Sequence, residues 1–378
     1  MISIRLSRRS MHNLAVRFVG GGGGHVVDPN VDLRFIFEQE ENLQRTIEER
    51  RLQIDVNSVK TKYTTWFQAY EKWTKTPKEE AGEAKKSLRD AKDGLIEALS
   101  LPNFVHSVGK KEKAMLKPTK HADYLCRKGL MRIDKDHELV SLVGYPVLLQ
   151  NQIKNQLLDL FVDAQLISPS SFVRAAILEG LNVDPSDFLS FSDGSSSFPK
   201  TFVVGHSLSA HLSSFVKTMF TENNTWPIIL QSSGMGYHTK RNTVNLAYAR
   251  QRLKHCVTCM TVAEDQIESF ISTSAASLAG FIDEGLCLDV KARVVRGNEL
   301  RNYESQAIVF EDKGLELSRI SRMGDYVSRR LNICNEQGQF LQMVYVETDI
   351  DRLIARLFDN LIDGGDVPKI LRDIMNSD

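Results

Sequence analysis

Long apolar runs and paired cysteines are both scarce in this sequence. No window approaches the roughly 18 uncharged apolar residues of a membrane-spanning helix, so we expect no membrane insertion. The 5 cysteines are scattered and odd in number, which argues against a disulfide framework and favours a reducing compartment. Only Cys256 and Cys259 lie close together, and without a second pair we predict buried strand cysteines rather than a zinc or redox site. The sequence indicates no metal and no cofactor.

Acidic residues are absent from the first 27 positions, and Asp28 is the first one in the chain. The segment instead holds three serines and four arginines, and a helical wheel places on one face Ile4, Met11, Leu14, Ala15 and Phe18. This composition is typical of a mitochondrial transit peptide, with a disordered basic tail as the alternative. The run Gly20 to His25 is interpreted as a flexible joint, because it lacks the Lys-Ser/Thr of a phosphate-binding loop. We therefore predict a transit peptide and joint over residues 1–27, and a location in the mitochondrial matrix.

Two heptad-like seams separated by a proline predict a helical hairpin from Glu38 to about Leu101. The first seam is mostly aromatic, with spacings of four and three residues: Val59, Tyr63, Trp66, Tyr70 and Trp73. After Pro77 the second seam is mostly alanine: Ala81, Ala84, Leu88, Ala91, Leu95 and Ala98. Large side chains that face small ones allow two antiparallel helices to pack closely.

The tip half of this hairpin is rich in basic residues. Nine of them, against five acidic ones, lie outside both seams: Lys60, Lys62, Lys72, Lys75, Lys78, Lys85, Lys86, Arg89 and Lys92. Such charges are typical of a solvated helix face, and equally of a surface that contacts phosphates. The sequence alone leaves both interpretations open.

The rest of the chain mixes helices and strands without regular alternation. Amphipathic helices are predicted at LLQNQIKNQLLDLFVDAQL, IESFISTSAASLAGFI and DIDRLIARLFDNLI, and short strands at TFVVG, WPIIL, CVTCMTV and ESQAIVF. This order favours an α+β fold, in which helices flank an antiparallel sheet, over a doubly wound parallel sheet.

One stretch, VVGHSLSA, suggests the nucleophile elbow of a lipase-type hydrolase with Ser207 as nucleophile. The strained turn of that motif requires glycine at its fifth position, where this chain has Ser209. A late catalytic histidine is also missing, because the last 123 residues contain none, and only Glu222 is placed to supply the acid. The sequence therefore favours an ordinary strand-to-helix turn.

Three stretches occur in order along the chain: LPNFVH after the hairpin, GDYVSRRLNI, and RLIARLFDNLIDGGDVPKILRDIM near the end. Through these stretches the chain resembles, from the hairpin to the C-terminus, the seryl-tRNA synthetases, which are class II enzymes. The resemblance implies a tRNA-binding arm over residues 28–104 and a class II synthetase-like domain over residues 105–378. It also implies that the nine basic residues of the hairpin are candidates for RNA binding.

At positions that bind ATP in that family, the resemblance implies lost contacts. His238 replaces an arginine that holds the ATP α-phosphate, and Lys240 replaces a glutamate that accepts from the adenine amine. Histidine is mostly neutral at pH 7 to 8 and lacks the bidentate fork of arginine, while Lys240 reverses the charge. Each such loss is expected to cost on the order of 2 to 4 kcal/mol of transition-state stabilisation.

The amino-acid site shows the same pattern. The Thr-Ala-Glu of the family becomes His206-Ser207-Leu208, so Leu208 stands where a carboxylate pairs with the amine of serine. Arg322 replaces an asparagine, whereas Glu316 and Arg352 match residues of the family. We therefore expect a degenerate ATP and serine pocket with no catalytic residues.

Together these features resemble an inactive mitochondrial branch of the family known from insects. The resemblance implies a non-catalytic paralogue that binds tRNA, forms a heterodimer with the active mitochondrial seryl-tRNA synthetase and supports mitochondrial translation. Dimerisation is expected through the region from Leu166 to Gly180, which resembles motif 1 of class II synthetases. A divergent but active tRNA/amino-acid ligase and a coiled-coil scaffold are the alternatives.

Overall fold

The computed structural model describes residues 13–15, 18, 27–110, 119–191, 201–221, 224–237 and 244–376. In the N-terminal part the helices are α1 Arg34–Glu38, α2 Glu40–Glu49, α3 Val56–Lys75, α4 Ala81–Asp90 and α5 Lys92–Leu99. The later helices are α6 His121–Arg127, α7 Tyr145–Leu160, α8 Ala175–Gly180, α9 Leu208–Ser213, α10 Glu264–Gly280, α11 Tyr326–Leu331, α12 Ile350–Ile362 and α13 Lys369–Met375. None of the described helices is long and apolar enough to span a bilayer.

The strands begin after α6. They are β1 Met131–Asp134, β2 Leu139–Leu142, β3 Gln165–Leu166, β4 Phe172–Arg174, β5 Leu189–Phe191, β6 Thr201–Val203 and β7 Met219–Phe220. They continue as β8 Ile228–Tyr237, β9 Gln251–Thr261, β10 Lys291–Val294, β11 Gln306–Asp312, β12 Leu315–Gly324, β13 Cys334–Asn335 and β14 Gln342–Asp349. All four strands and all three helices expected from the later sequence motifs are therefore present.

Seven strands form the central sheet, in the order β10-β11-β12-β14-β9-β8-β3. Every neighbouring pair is antiparallel except β3 and β8, which run parallel. Helices cover the sheet, which confirms the predicted α+β class with an antiparallel sheet. A separate three-stranded sheet has the order β4-β6-β5.

The two faces of the central sheet pack into different cores. We call the face that carries Cys256 and Tyr345 the front face, because these residues share one apolar cluster with the hairpin helices, α8 and α9. The opposite back face, which carries Val257, Val344 and Val346, packs against α7, α10, α12 and α13. Cys256 and Cys259 are both fully buried, as predicted, and they lie on opposite faces of β9. Two side chains on opposite faces of one strand do not converge on a single metal ion.

The predicted hairpin is present but begins later than expected. Helix α3 packs along α4 and α5, and the seam residues Tyr63, Trp66 and Leu88 are buried. The first hairpin helix starts at Val56, where Asp55 caps it by accepting from the Ser58 amide at 3.1 Å. Residues 40–49 form the separate helix α2, so the expected start at Glu38 is wrong.

Buried arginine side chains fix the base of the hairpin to the domain. The Arg50 guanidinium donates to the main-chain oxygens of Asn103 at 3.1 Å and Glu304 at 2.5 Å. Arg330 donates to the main-chain oxygen of Leu101 at 3.3 Å. Since these arginines bond main-chain atoms on both sides of residue 104, the hairpin and the domain pack as one unit.

Candidate functional site

The front face of β8 is bare at two positions, Gly234 and Gly236. A Cβ atom at Gly234 would overlap the imidazole of His206, and one at Gly236 would contact the side chain of Lys254. Register pairs Gly234 with Lys254 across β8 and β9. These glycines therefore leave a flat floor on the sheet, and side chains of the same chain lie over that floor.

His206 is held over this floor by a chain of hydrogen bonds. Its amide donates to the main-chain oxygen of Met235 at 2.9 Å, and its Nδ1 lies 3.0 Å from Ser232 Oγ. The same Oγ lies 2.7 Å from His211 Nε2, and His211 Nδ1 lies 2.9 Å from Thr258 Oγ1. Burial lowers the pKa of His206, and it lowers the pKa of His211 to about 4. Both imidazoles are therefore neutral at pH 7, and neither provides a fixed positive charge for a phosphate.

Lys254 places an ammonium group on the front face, and a carboxylate of the same face neutralises it. Lys254 Nζ lies 2.8 Å from Glu347 Oε1, with side-chain exposures of only 5% and 17%. Glu347 also accepts from the Tyr345 hydroxyl at 3.1 Å and lies 3.7 Å from the Arg301 guanidinium. The positive charge that β9 presents to the site is thus satisfied from within the chain.

A second group of paired charges lies on β12 and the loop before β11. Arg319 bonds the carboxylates of Glu304 at 2.7 Å and Glu316 at 3.1 Å. Burial by itself raises the pKa of Glu304, but the hydrogen bond and charge of Arg319 outweigh it and hold that pKa below its usual value. Ser321 Oγ donates to the same carboxylate at 2.6 Å. Glu304 is therefore ionised and bonded on the front face.

At the end of β14 the pairing continues with Arg252 and Arg352. Arg252 Nε lies 2.8 Å from Asp349 Oδ2, and Arg352 Nε lies 3.5 Å from the same oxygen. Arg352 also donates to the main-chain oxygens of Glu316 at 2.9 Å and Ala247 at 3.2 Å. The two residues that match the family, Glu316 and Arg352, are thus in contact through this main-chain oxygen.

The other pocket candidates lie elsewhere. Leu208, the first residue of α9, is buried in the front apolar core, so its side chain contributes no polar group to the floor. Arg322 lies on the back face opposite Val344, where it pairs with Glu264 and with Glu268 Oε1 at 2.7 Å. The structure therefore places His206 and Glu316 on the front face, sets Arg352 against Glu316 and Asp349 at the end of β14, and removes Arg322 from the site. His238 and Lys240 lie outside the described residues.

Sequence reasoning missed the residues that neutralise the site. These are Lys254, Glu304, Arg319 and Glu347. A signal was present, because polar or charged residues occupy alternate positions within buried strands, as in Tyr345, Glu347 and Asp349 of β14. Alternate residues of a strand share a face, so such a pattern indicates charges that meet partners on neighbouring strands.

The hydrolase interpretation finds no support in the described residues around Ser207. Ser207 caps α9 by accepting from the Ala210 amide at 3.4 Å, and its hydroxyl lies 3.0 Å from Ser209 Oγ. The rings of the adjacent His206 and His211 bond Ser232 instead. Glu222 is not among the described residues. Ser207 therefore begins a helix, as the simpler interpretation predicted.

The nine basic candidates of the hairpin lie on its outer surface. All are exposed except Lys60, which is half-buried. Lys60 and Lys62 pair with Glu40 at 3.0 Å and Glu97 at 2.7 Å. Within the described parts of the chain, the remaining seven form no ion pair: Lys72, Lys75, Lys78, Lys85, Lys86, Arg89 and Lys92. Their charges therefore face solvent.

Apolar side chains are exposed in and around the motif 1 region. Val162, at the end of α7, is 78% exposed, and Leu166, on the edge strand β3, is 65% exposed. On the small sheet, Phe172 and Phe191 are exposed and meet edge to face with ring centroids 5.7 Å apart. This surface is suited to an interface, since exposed apolar patches on folded domains commonly mark binding sites.

Metal ligands do not cluster in the part of the chain that the structure describes. The described residues contain no group of three or more His, Cys, Asp or Glu side chains placed to hold an ion.

No protein-family model matches the sequence, and no curated protein matches it. Solved structures match it closely in fold. One is a cytoplasmic serine-tRNA ligase from Naegleria fowleri in complex with AMP, with TM-score 0.71, 15% identity, and coverage of 94% of this chain and 98% of that one. Another is the seryl-tRNA synthetase from Pyrococcus horikoshii complexed with ATP, with TM-score 0.69, 14% identity, and coverage of 91% and 98%.

A prolyl-tRNA synthetase from Giardia lamblia in complex with prolyl-adenylate matches less of its own length. Its TM-score is 0.59 at 13% identity, with coverage of 69% of this chain and 56% of that one. At these identities the likeness shows the fold, which is the mixed α+β fold of the class II seryl-tRNA synthetases.

Proposed function

We propose that this chain is a non-catalytic seryl-tRNA synthetase paralogue of the mitochondrial matrix, which binds tRNA and pairs with the active mitochondrial seryl-tRNA synthetase. Its tRNA-ligase-like fold and the basic outer surface of its hairpin support the RNA partner. The acid-free, arginine-rich N-terminus supports the location. On this proposal the chain is a counterpart of the seryl-tRNA synthetase-like insect mitochondrial protein, which it resembles. It supports mitochondrial translation by binding tRNA and the active synthetase.

The observation that carries the proposal is the internal neutralisation of the front face. Lys254, Arg252 and Arg319 each have a carboxylate of the same chain within 2.8 Å. A nucleotide triphosphate that used these cations would have to break buried ion pairs, and separating one typically costs about 3–5 kcal/mol. The side chains of His206 and Lys254 also lie where a planar ligand would rest on the floor of β8. Nucleotide binding is therefore opposed by both charge and shape.

Seryl-dependent pyrophosphate exchange tests the loss of catalysis. The purified chain is expected to show no exchange above background with serine and ATP, while an active mitochondrial seryl-tRNA synthetase in a parallel reaction shows it. Restoring a single family residue, as in Leu208→Glu, is expected to leave pyrophosphate exchange undetectable, because catalytic groups that act as a unit lose activity together. Exchange by the chain alone would identify it as the divergent but active ligase.

Pairing is supported by the exposed apolar residues around β3. Class II subunits meet through motif 1, and Leu166 lies 65% exposed on the edge of the central sheet. Placing a charge there buries an unpaired carboxylate in the expected interface. Leu166→Asp is therefore expected to lower the affinity for the active mitochondrial synthetase at least tenfold, measured as loss of co-elution at micromolar concentration.

Met219 provides a matched control for this experiment. It is also apolar, is 61% exposed and lies on the two-residue strand β7, outside the motif 1 region. Met219→Asp is expected to leave co-elution unchanged. Equal effects of the two substitutions, or no complex between the two folded wild-type proteins at micromolar concentration, would refute pairing through this surface.

A further inference from the structure

The N-terminal segment contains apolar residues that are packed into the folded body. Leu14 and Ala15 have no exposed surface, and Phe18 is 5% exposed. Residues Asn13–Ala15 form a short turn against α8, where the Leu14 amide donates to Glu179 Oε2 at 2.7 Å. This carboxylate gives the segment a fixed polar contact in addition to its apolar ones.

On its other side the same segment meets the hairpin. The ring of Phe18 packs edge to face on Trp66, at 6.0 Å between centroids, and on Tyr70, at 5.6 Å. Trp66 itself is fully buried on α3. The described residues Leu14, Ala15 and Phe18 therefore bridge the first hairpin helix and helix α8 of the domain, two elements that are far apart in sequence.

We infer that Leu14, Ala15 and Phe18 form an N-terminal strap that docks between α3 and α8 and is retained in the mature protein. The inference rests on the proposed mitochondrial location, and it moves the end of any cleaved presequence from residue 27 to a point before Asn13. The apolar helical face that suggested an import signal includes the same three residues. An import signal must expose that apolar face, whereas the strap buries it. The face can therefore serve import only in the unfolded precursor, and it is buried after the protein folds.

Removal of the strap would uncover aromatic surface on the hairpin. Burying large apolar side chains is a main source of folding stability, and a chain cut at residue 27 would leave Trp66 and Tyr70 without the Phe18 ring. The Glu179 carboxylate would also lose its bond to the Leu14 amide. Retention of the strap is thus the arrangement that the packing favours.

The first test determines the N-terminus of the endogenous protein by mass spectrometry after separation of mitochondria from cytosol. We expect a matrix protein whose first residue precedes Asn13. A first residue between positions 14 and 28 would overturn the inference while leaving the mitochondrial location intact. An uncleaved cytosolic protein would refute the location and, with it, the inference about a mature form, so the two failures are distinguishable.

The second test uses the full chain and the fluorescence of Trp66, one of 3 tryptophans. Phe18→Ala is expected to shift the emission to the red and to increase acrylamide quenching, because it opens one side of Trp66. It should also lower the thermal midpoint by about 5 °C. Phe18→Leu, which keeps an apolar side chain in place, should recover most of both signals, and Met219→Ala on the exposed strand β7 should change neither. Unchanged emission and midpoint in Phe18→Ala would overturn the inference.

Discussion

The buried pair between Lys254 and Glu347 gives a direct measure of how firmly the front face is neutralised. Glu347→Gln removes the carboxylate charge but keeps the shape of the side chain, leaving a lysine that is only 5% exposed without its partner at 2.8 Å. An unpaired buried charge of this kind costs about 3–5 kcal/mol. We therefore expect the free energy of unfolding in guanidinium chloride to fall by about 3 kcal/mol.

A double-mutant cycle separates pairing from packing. Lys254→Met combined with Glu347→Gln removes both charges, so the double variant should recover most of the loss, with a coupling energy of at least about 2 kcal/mol. The pair Lys60 and Glu40 is the matched control, because it joins the same residue types at 3.0 Å with the much larger side-chain exposures of 42% and 56%. Its cycle should give at most about 1 kcal/mol. Equal coupling in the two cycles would refute the argument that the front face is locked by buried pairs.

Two further predictions concern the hairpin and α12. The first reverses four exposed charges of the hairpin to glutamate: Lys78, Lys85, Lys86 and Arg89. This change should weaken tRNA binding and reduce the slope of log K against log salt by up to about 3. The same reversal of four exposed domain residues should do neither: Lys128, Arg132, Lys135 and Lys291. Equal salt slopes for the two sets, measured by filter binding, would assign the hairpin charges to a solvated face. Burial, followed by the charge of Asp349, raises the pKa of Asp351 to about 7, so this group stabilises the fold at low pH and the contribution is lost as pH rises toward 7. Asp351→Asn should therefore match wild type near pH 4 and exceed its stability by a few kcal/mol at pH 8, and a constant difference across that range of urea unfolding curves would contradict the shift.

Local patterns were sufficient to predict most of the fold. The seams of the hairpin, the amphipathic helices and the short strands each follow from periodicity within one segment. The start of the hairpin was misplaced because α2, Glu40–Glu49, is itself amphipathic and buries Leu43 and Ile47, so the pattern does not change at the boundary. Only the turn at Arg51, with φ of 56°, and the Asp55 cap separate the two helices.

The site was harder to predict because it depends on register between distant strands. Glu316 and Arg322 are both even-numbered residues of β12, and a regular strand would place them on one face. The register between β11 and β12 shifts here, because Phe310 lies opposite Ser318 but Glu311 lies opposite Glu316. Strand β12 therefore has one extra residue between Glu316 and Ser318. A bulge of this kind exchanges the faces, and Arg322 therefore lies on the back face. Nothing in the local sequence marks the position of this bulge.

The same register argument explains how the front face holds so many charges. Gly234, Lys254 and Asp349 occupy one row across β8, β9 and β14, and Cys256, Glu347 and Arg319 occupy the next. A cation in one row therefore has a carboxylate in the next row on a neighbouring strand, as Lys254 has Glu347 at 2.8 Å.

A sheet face with unpaired cations would depend on an anionic ligand for its stability, because buried charges of one sign repel each other. Here each of Arg252, Lys254 and Arg319 already meets a carboxylate, so the domain reaches electrostatic balance without a nucleotide. Among the described residues, the basic side of the hairpin and the apolar edge at Leu166 are exposed surfaces that remain available for binding. If binding at those surfaces is what the chain contributes, saturating ATP and serine should leave its thermal midpoint within about 1 °C of the ligand-free value, whereas tRNA or the partner subunit should raise it by mass action. A rise with ATP and serine comparable to that with tRNA would show that the front face still takes a ligand.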